Sequence, residues 1–136
     1  MVNPIDEIRT RLLQYPDVQY VASTDTLRME APQDGGFPIY IRRHAAAGWD
    51  VTFGEGLQCH FDDAAAATEF FSFGLSDQCR LREIRRGSVV HRACAERRKG
   101  DGWEVVQETI RLLYPFWRRP SEYIFQNILL SPGSQE

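Results

Sequence analysis

With 136 residues, 43% of them apolar and 12% aromatic, the chain has the size and composition of one domain that buries a core without staples. A formal net charge of −3 excludes a uniform polycation, and no apolar run approaches the roughly 18 residues of a membrane span. Cys59, Cys79 and Cys94 are odd in number and unpaired in spacing, so reduced thiols and a cytoplasmic setting are expected.

The opening MVNPIDEIRT is acidic and amphipathic, unlike a secretory leader. Asn3 is a good N-cap and Pro4 suits the first helical position. Ile5, Ile8, Leu12 and Tyr15 then recur at helical spacing, and Pro16 stops the run. The spacing predicts a helix over 3–15. Val18–Ser23 and Thr26–Ala31 read as a hairpin about Thr24-Asp25. Its register sets Tyr20 opposite Met29 and Ala22 opposite Leu27 on an apolar face, with Val21 opposite Arg28 on the wetter one. Pro32–Gly36 breaks the chain, and three strands follow over 37–44, 49–53 and 57–61, the last two joined by Gly54-Glu55-Gly56. Asp63 caps a second helix over 63–73, rich in Ala and Phe, which Gly74 closes.

Strands return over 79–86, 88–98 and 103–113, separated by a turn at Gly87 and a tight turn at Gly100-Asp101. Ile124, Phe125, Ile128 and Leu129 give an amphipathic stretch over 120–130, read as a third helix with a strand as the other possibility, and 131–136 reads as a frayed tail. The expected fold is therefore α+β: one domain over 1–136, an antiparallel sheet with about three covering helices, in the order helix, about five strands, helix, three strands, helix. That order is similar to that of small acidic secretion chaperones, in element order alone.

Charge is uneven. Residues 1–78 carry net −7, residues 79–119 net +6, and residues 120–136 net −2. The reading favoured is that the two halves pair electrostatically; the other is a basic face for an anionic partner. Codon usage of the kind expected in a GC-rich bacterial genome explains fifteen arginines against the single Lys99 as well as any function does, so the ratio is given no functional weight.

Few motifs carry chemistry. Gly54-Glu55-Gly56 is too short for a phosphate loop and precedes a strand. Cys59-His60 and His91/Cys94 resemble metal-ligand pairs, but in extended chain each pair points to opposite faces, so no metal and no cofactor is expected. A Cys–His nucleophile built on Cys59 or Cys94 stays open. Tyr114-Pro115-Phe116-Trp117-Arg118-Arg119 is aromatic and basic. It marks Trp117, Arg118 and Arg119 as candidate partner-binding residues, although packing of Phe116 and Trp117 beneath the last helix is the plainer reading. No signature of nucleic-acid binding is present.

The final hairpin offers the most specific candidate. A turn at Gly100-Asp101 sets Ala93 opposite Glu108 and His91 opposite Ile110. A turn at Gly87-Ser88 sets Arg82 opposite Ala93 and Arg80 opposite Ala95. Arg80, Arg82, His91 and Glu108 then gather on the face assigned to the core, as ligand-binding candidates around the small Ala93, or as an Arg82–Glu108 ion pair at the sheet margin. Two functional classes follow. The expected one is a non-catalytic protein-binding or adaptor module of the cytoplasm. The alternative is a small-molecule-binding domain, or a hydrolase or isomerase, with a polar pocket on the sheet face.

Overall fold

The computed structural model describes residues 3–127. The elements are α1 (Pro4–Leu12), β1 (Tyr20–Ala22), β2 (Thr26–Met29), β3 (Ile39–Arg43), β4 (Trp49–Phe53), β5 (Leu57–Phe61), α2 (Ala64–Leu75), β6 (Cys79–Arg86), β7 (Val89–Lys99), β8 (Gly102–Ile110) and β9 (Pro120–Phe125). The strands form two antiparallel sheets, of order β1-β2-β3-β4-β5 and β8-β7-β6-β9. The architecture is α+β, with two sheets in place of one and two helices among the described residues. No helix of the described residues is long and apolar enough to cross a membrane.

α1 begins where Asn3 accepts a hydrogen bond from the Ile5 N–H at 2.8 Å, and it buries Ile5, Ile8 and Leu12. The first sheet is a meander of short hairpins. Tyr20 pairs with Met29, Val21 with Arg28 and Ala22 with Leu27, and the alternation continues through Ile39, Ile41, Val51, Phe53 and Leu57, all buried. α2 covers this face, with Phe53 and Phe70 stacked at 4.5 Å between ring centroids. α2 runs through Gly74 to Leu75, so Gly74 does not close it. A Cβ there would lie 2.6 Å from Phe53 Cζ and 2.8 Å from Ile39 Cδ1, so the glycine lets the helix seat on the sheet.

The expected third helix is corrected: 120–125 is β9, which pairs with β6. Its apolar spacing fits a helix equally well, but β6 offers an open edge whose backbone groups need partners. Residues 128–130 of that stretch and the tail 131–136 lie outside the described residues. Just past β9, the fully buried Asn127 donates to the carbonyls of Phe37 (3.1 Å) and Gly74 (3.2 Å) and accepts from the Phe37 N–H (2.9 Å). One side chain thus ties the end of the second sheet to the entry of β3 and to the last turn of α2.

Two bulges alter the register of the second sheet. The turns are as read from the sequence: Arg86 pairs with Val89, and Arg98 with Trp103. Beyond them the pairing slips by one residue, at His91 in β7 and at Val106 in β8. Arg82 therefore pairs with Cys94 and Cys94 with Glu108, while Ala93 lies between Glu83 and Thr109. Leu81, Ala93 and Ala95 face the core. The row of Arg82 and Glu108 turns to the uncovered side, contrary to the expected placement on the core face.

Candidate functional site

The uncovered face of the second sheet is paved with ion pairs. Arg80 Nε lies 2.6 Å from Glu96 Oε1, and its guanidinium stacks over the Trp103 ring at 4.6 Å. Arg82 lies 3.3 Å from Glu96 and 3.1 Å from Glu122. Arg92 Nε is 2.5 Å from Glu108, holding that carboxyl below the usual carboxylate range. Cys94 Sγ donates to Glu108 at 3.4 Å, and burial, seconded by that bond, pushes its thiol pKa up. The arginine stems roof over Cys94 and Glu96, which explains why both are buried on a face that no helix covers. Arg80, Arg82 and Glu108 thus share one surface, where each has an opposite charge from its own sheet.

His91 stands apart from those three. As the bulge residue it stacks on Tyr114, with ring centroids 4.3 Å apart, and its carbonyl accepts from Arg111 N–H at 2.8 Å. It serves the segment between β8 and β9. There, Arg86 lies over the Tyr114 ring at 5.3 Å and donates to the carbonyls of Phe116 (3.2 Å) and Arg118 (2.9 Å). Arg118 N–H closes a turn onto the Pro115 carbonyl at 3.0 Å. Phe116 and Trp117 occupy the two corner positions of that turn. Their rings meet edge to face at 5.3 Å, and each residue is 73% exposed. Leu112 and Leu113, 87% and 86% exposed, lie just before them. The expected burial of Phe116 and Trp117 beneath a last helix is overturned, because 120–125 is a strand and no described residue covers them.

Charge completes the picture. Among the described residues, one ion pair joins residues 1–78 to residues 79–119, Arg85 with Glu55 at 3.9 Å; the others across 79–125 stay within the second sheet. The expected pairing of the two halves is thus not what neutralises them. Arg111, Arg118 and Arg119, around the aromatic turn, have no carboxylate within 4 Å among the described residues. A separate open groove of about 640 Å³ runs between α2 and β8, floored by Phe61, Phe70, Phe73 and Val106, with Arg97 over Phe73 at 5.1 Å.

No protein-family model, curated protein or solved structure matches the chain.

The structure also joins side chains that sequence reasoning missed. Cys59 points into the core and His60 out of it, as alternation requires, but His60 meets Asp50 and His44 on the outer face of the first sheet, with ligand-type atoms within 4.8 Å of one another. The signal was legible: the hairpin that pairs Trp49 with Phe61 also pairs Asp50 with His60. The exposed quartet Leu112, Leu113, Phe116 and Trp117 is only half visible in the sequence, where an aromatic pair beside an amphipathic stretch reads as buried.

Proposed function

We propose that this chain is a non-catalytic protein-binding module that engages its partner through the Pro115–Arg118 turn. The observation that carries the reading is the pairing of full presentation with a fixed base. Phe116 and Trp117 are 73% exposed, while Arg86 grips the carbonyls on either side of Trp117 and stacks on Tyr114. Large exposed aromatics on an ordered support bind with little loss of conformational entropy, and Trp is the residue most enriched among interface hot spots. Leu112 and Leu113 extend the apolar surface. Arg111, Arg118 and Arg119 supply a basic rim, so the complementary partner surface is an apolar cleft edged with carboxylates. Trp117, Arg118 and Arg119 keep in this reading the roles expected of them from the sequence.

The test is affinity capture from a native lysate with the wild-type chain and with a Phe116→Ser/Trp117→Ser variant, followed by titration of the recovered protein in purified form. The reading expects a protein that binds wild type directly and loses at least about 100-fold in affinity to the double variant, since two hot-spot aromatics carry on the order of 2 kcal/mol each or more. Recovery of monomer alone, or equal binding by the variant, overturns it.

The groove between α2 and β8 favours a second reading, a small-molecule site, because its volume and aromatic floor suit a ligand of modest size. Screening of small aromatic anions by saturation-transfer NMR, with Arg97→Ala as the control, separates this reading from the first.

A further inference from the structure

We propose that His44, Asp50 and His60 form a binding site for a divalent cation of the zinc class on the outer face of the five-stranded sheet. This site is remote in role from the aromatic turn and stands whether or not the turn binds a partner.

Register assembles it. Asp50 in β4 pairs directly with His60 in β5, and His44 follows the end of β3, folded back by the hydrogen bond from its N–H to the Gly48 carbonyl at 2.9 Å. Gly48 has φ +81, and a Cβ there would lie 2.4 Å from the Phe61 carbonyl oxygen and 3.0 Å from the edge of the His60 ring. Only glycine lets this turn close so tightly that the two imidazoles meet, with centroids 4.8 Å apart.

The anchor is Asp50. Its side chain is 4% exposed, and its Oδ2 is buried with no hydrogen-bond donor among the described residues. A buried carboxylate oxygen without a hydrogen bond is costly, and the long ion pairs that this one makes leave room for a closer positive group. His44 Nε2 stands 4.0 Å from that oxygen and Arg42 Nε 3.7 Å, neither in hydrogen-bonding geometry.

His60 narrows the choice of cation. Its Nε2 lies 3.0 Å from Asp62 Oδ1 and its Nδ1 2.8 Å from Asp50 Oδ1. Once Asp62 accepts the Nε2 proton, the Nδ1 lone pair faces an anionic oxygen, and a cation must sit between them. A second proton meets that demand, and so does a metal. The carboxylate–imidazole–metal arrangement, in which an outer carboxylate fixes the tautomer and aims the other nitrogen at the ion, is the usual support for a metal-binding histidine. Asp62 is that outer carboxylate here.

The donor set selects the ion. Two imidazole nitrogens and one carboxylate suit zinc, cobalt, nickel or copper, and are poor ligands for magnesium or calcium. Metal–ligand bonds of about 2.0–2.2 Å put tetrahedral ligand atoms roughly 3.3 Å apart, so the present 4.8 Å spread must contract by ~1.5 Å. The side chains of His44 and His60 are 41% and 42% exposed, which leaves both rings free to turn onto the fixed carboxylate. His44 then releases the 3.1 Å hydrogen bond its Nδ1 accepts from Ala46 N–H, in a turn where water replaces it. Arg42, about half exposed, swings away from Asp50 as the metal takes its place. Three protein ligands leave a coordination position to solvent.

The experiment titrates the untagged full chain with Zn²⁺ by calorimetry and with Co²⁺ by visible absorption, with Mg²⁺ and Ca²⁺ as comparisons. One equivalent of Zn²⁺ is expected with a dissociation constant of roughly 10 µM or tighter, together with visible Co²⁺ bands and no binding of Mg²⁺ or Ca²⁺ at roughly millimolar levels. His44→Ala and His60→Ala should each weaken Zn²⁺ by at least about 10-fold, and Asp62→Asn by a similar factor through the tautomer it fixes. Because a substitution at His60 also disturbs the buried Asp50, long-range ¹H–¹⁵N spectra of the wild-type imidazoles give an independent reading: Zn²⁺ should shift ring nitrogens of His44 and His60 and leave those of His91 in place. Saturable binding absent below roughly 100 µM, or binding unchanged in both histidine variants, or spectra in which His44 and His60 do not respond, would leave the cluster as an ion pair only and overturn the proposal.

Discussion

The two sheets of this molecule obey the same alternation rule and reveal it to different degrees. In the five-stranded sheet, hairpins are short, pairing is unbroken, and α2 lies on one face with α1 packed against it, so Leu27, Met29, Ile39, Ile41, Trp49, Val51, Phe53 and Leu57 alternate into the core. The four-stranded sheet has longer strands, a bulge in each of β7 and β8, and a second face roofed by arginines instead of helices. Alternation specifies register where one face is buried; where both faces can be dry on one side and ion-paired on the other, a one-residue slip costs little and the sequence does not announce it.

The largest test of that comparison cuts the tie between the two regions. Asn127→Ala removes three buried hydrogen bonds and strands Phe37 N–H and two carbonyls, so roughly 3–4 kcal/mol of stability should be lost, measured by urea unfolding followed through Trp fluorescence. Next comes Gly74→Ala. Ala is ordinarily worth about 1 kcal/mol over Gly inside a helix, yet here the added methyl meets Phe53 and Ile39, and a net loss of roughly 1–3 kcal/mol is expected. A gain would mean that the ordered face of the first sheet yields easily.

On the roofed face, Glu96→Gln keeps the shape and removes the charge shared by Arg80 and Arg82; roughly 1–2 kcal/mol should go, and the same change at the more exposed Glu122 should cost less. Burial also raises the Cys59 thiol to about 11 from 9.0, so its contribution is present below pH 9 and is lost as pH climbs from 9.0 toward 11. Urea midpoints of Cys59→Ala should fall less steeply over that range than those of wild type. The smallest effect belongs to Phe116→Ser/Trp117→Ser, whose exposed rings should change stability by less than about 0.5 kcal/mol. A large loss would show that the turn serves the fold and not a partner.

Much of the first region is legible in the sequence. The β1–β2 register, the strands 49–53 and 57–61, and the N-caps Asn3 and Asp63 follow from spacing, turns and capping chemistry. Even the turns of the second region were read as they are. What escaped was the slip at His91 and Val106, which replaced Ala93 with Cys94 between Arg82 and Glu108 and sent that row to the other side. The nature of 120–125 also escaped, because an apolar pair at 124–125 fits either a helix face or a strand, and only the open edge of β6 decides. As for the sites, the aromatic turn was singled out but credited with burial. The His44–Asp50–His60 group needed a three-strand register to be written out on the polar face, where apolar patterning gives no guide.

The position of β9 bears on how the molecule is made. β9 is the last strand of the described residues, yet it lies beside β6 and not beside its predecessor β8. Until it arrives, β6 is an open edge and Phe37 and Gly74 lack the partner that Asn127 brings, so closure waits for β9 and Asn127 to be synthesised. The connection across 111–119 is also long enough for a β9 to reach a neighbour's vacant edge. At high concentration during refolding, exchange of this strand between two copies is the misassembly this topology invites, and it would carry the aromatic turn along as its hinge.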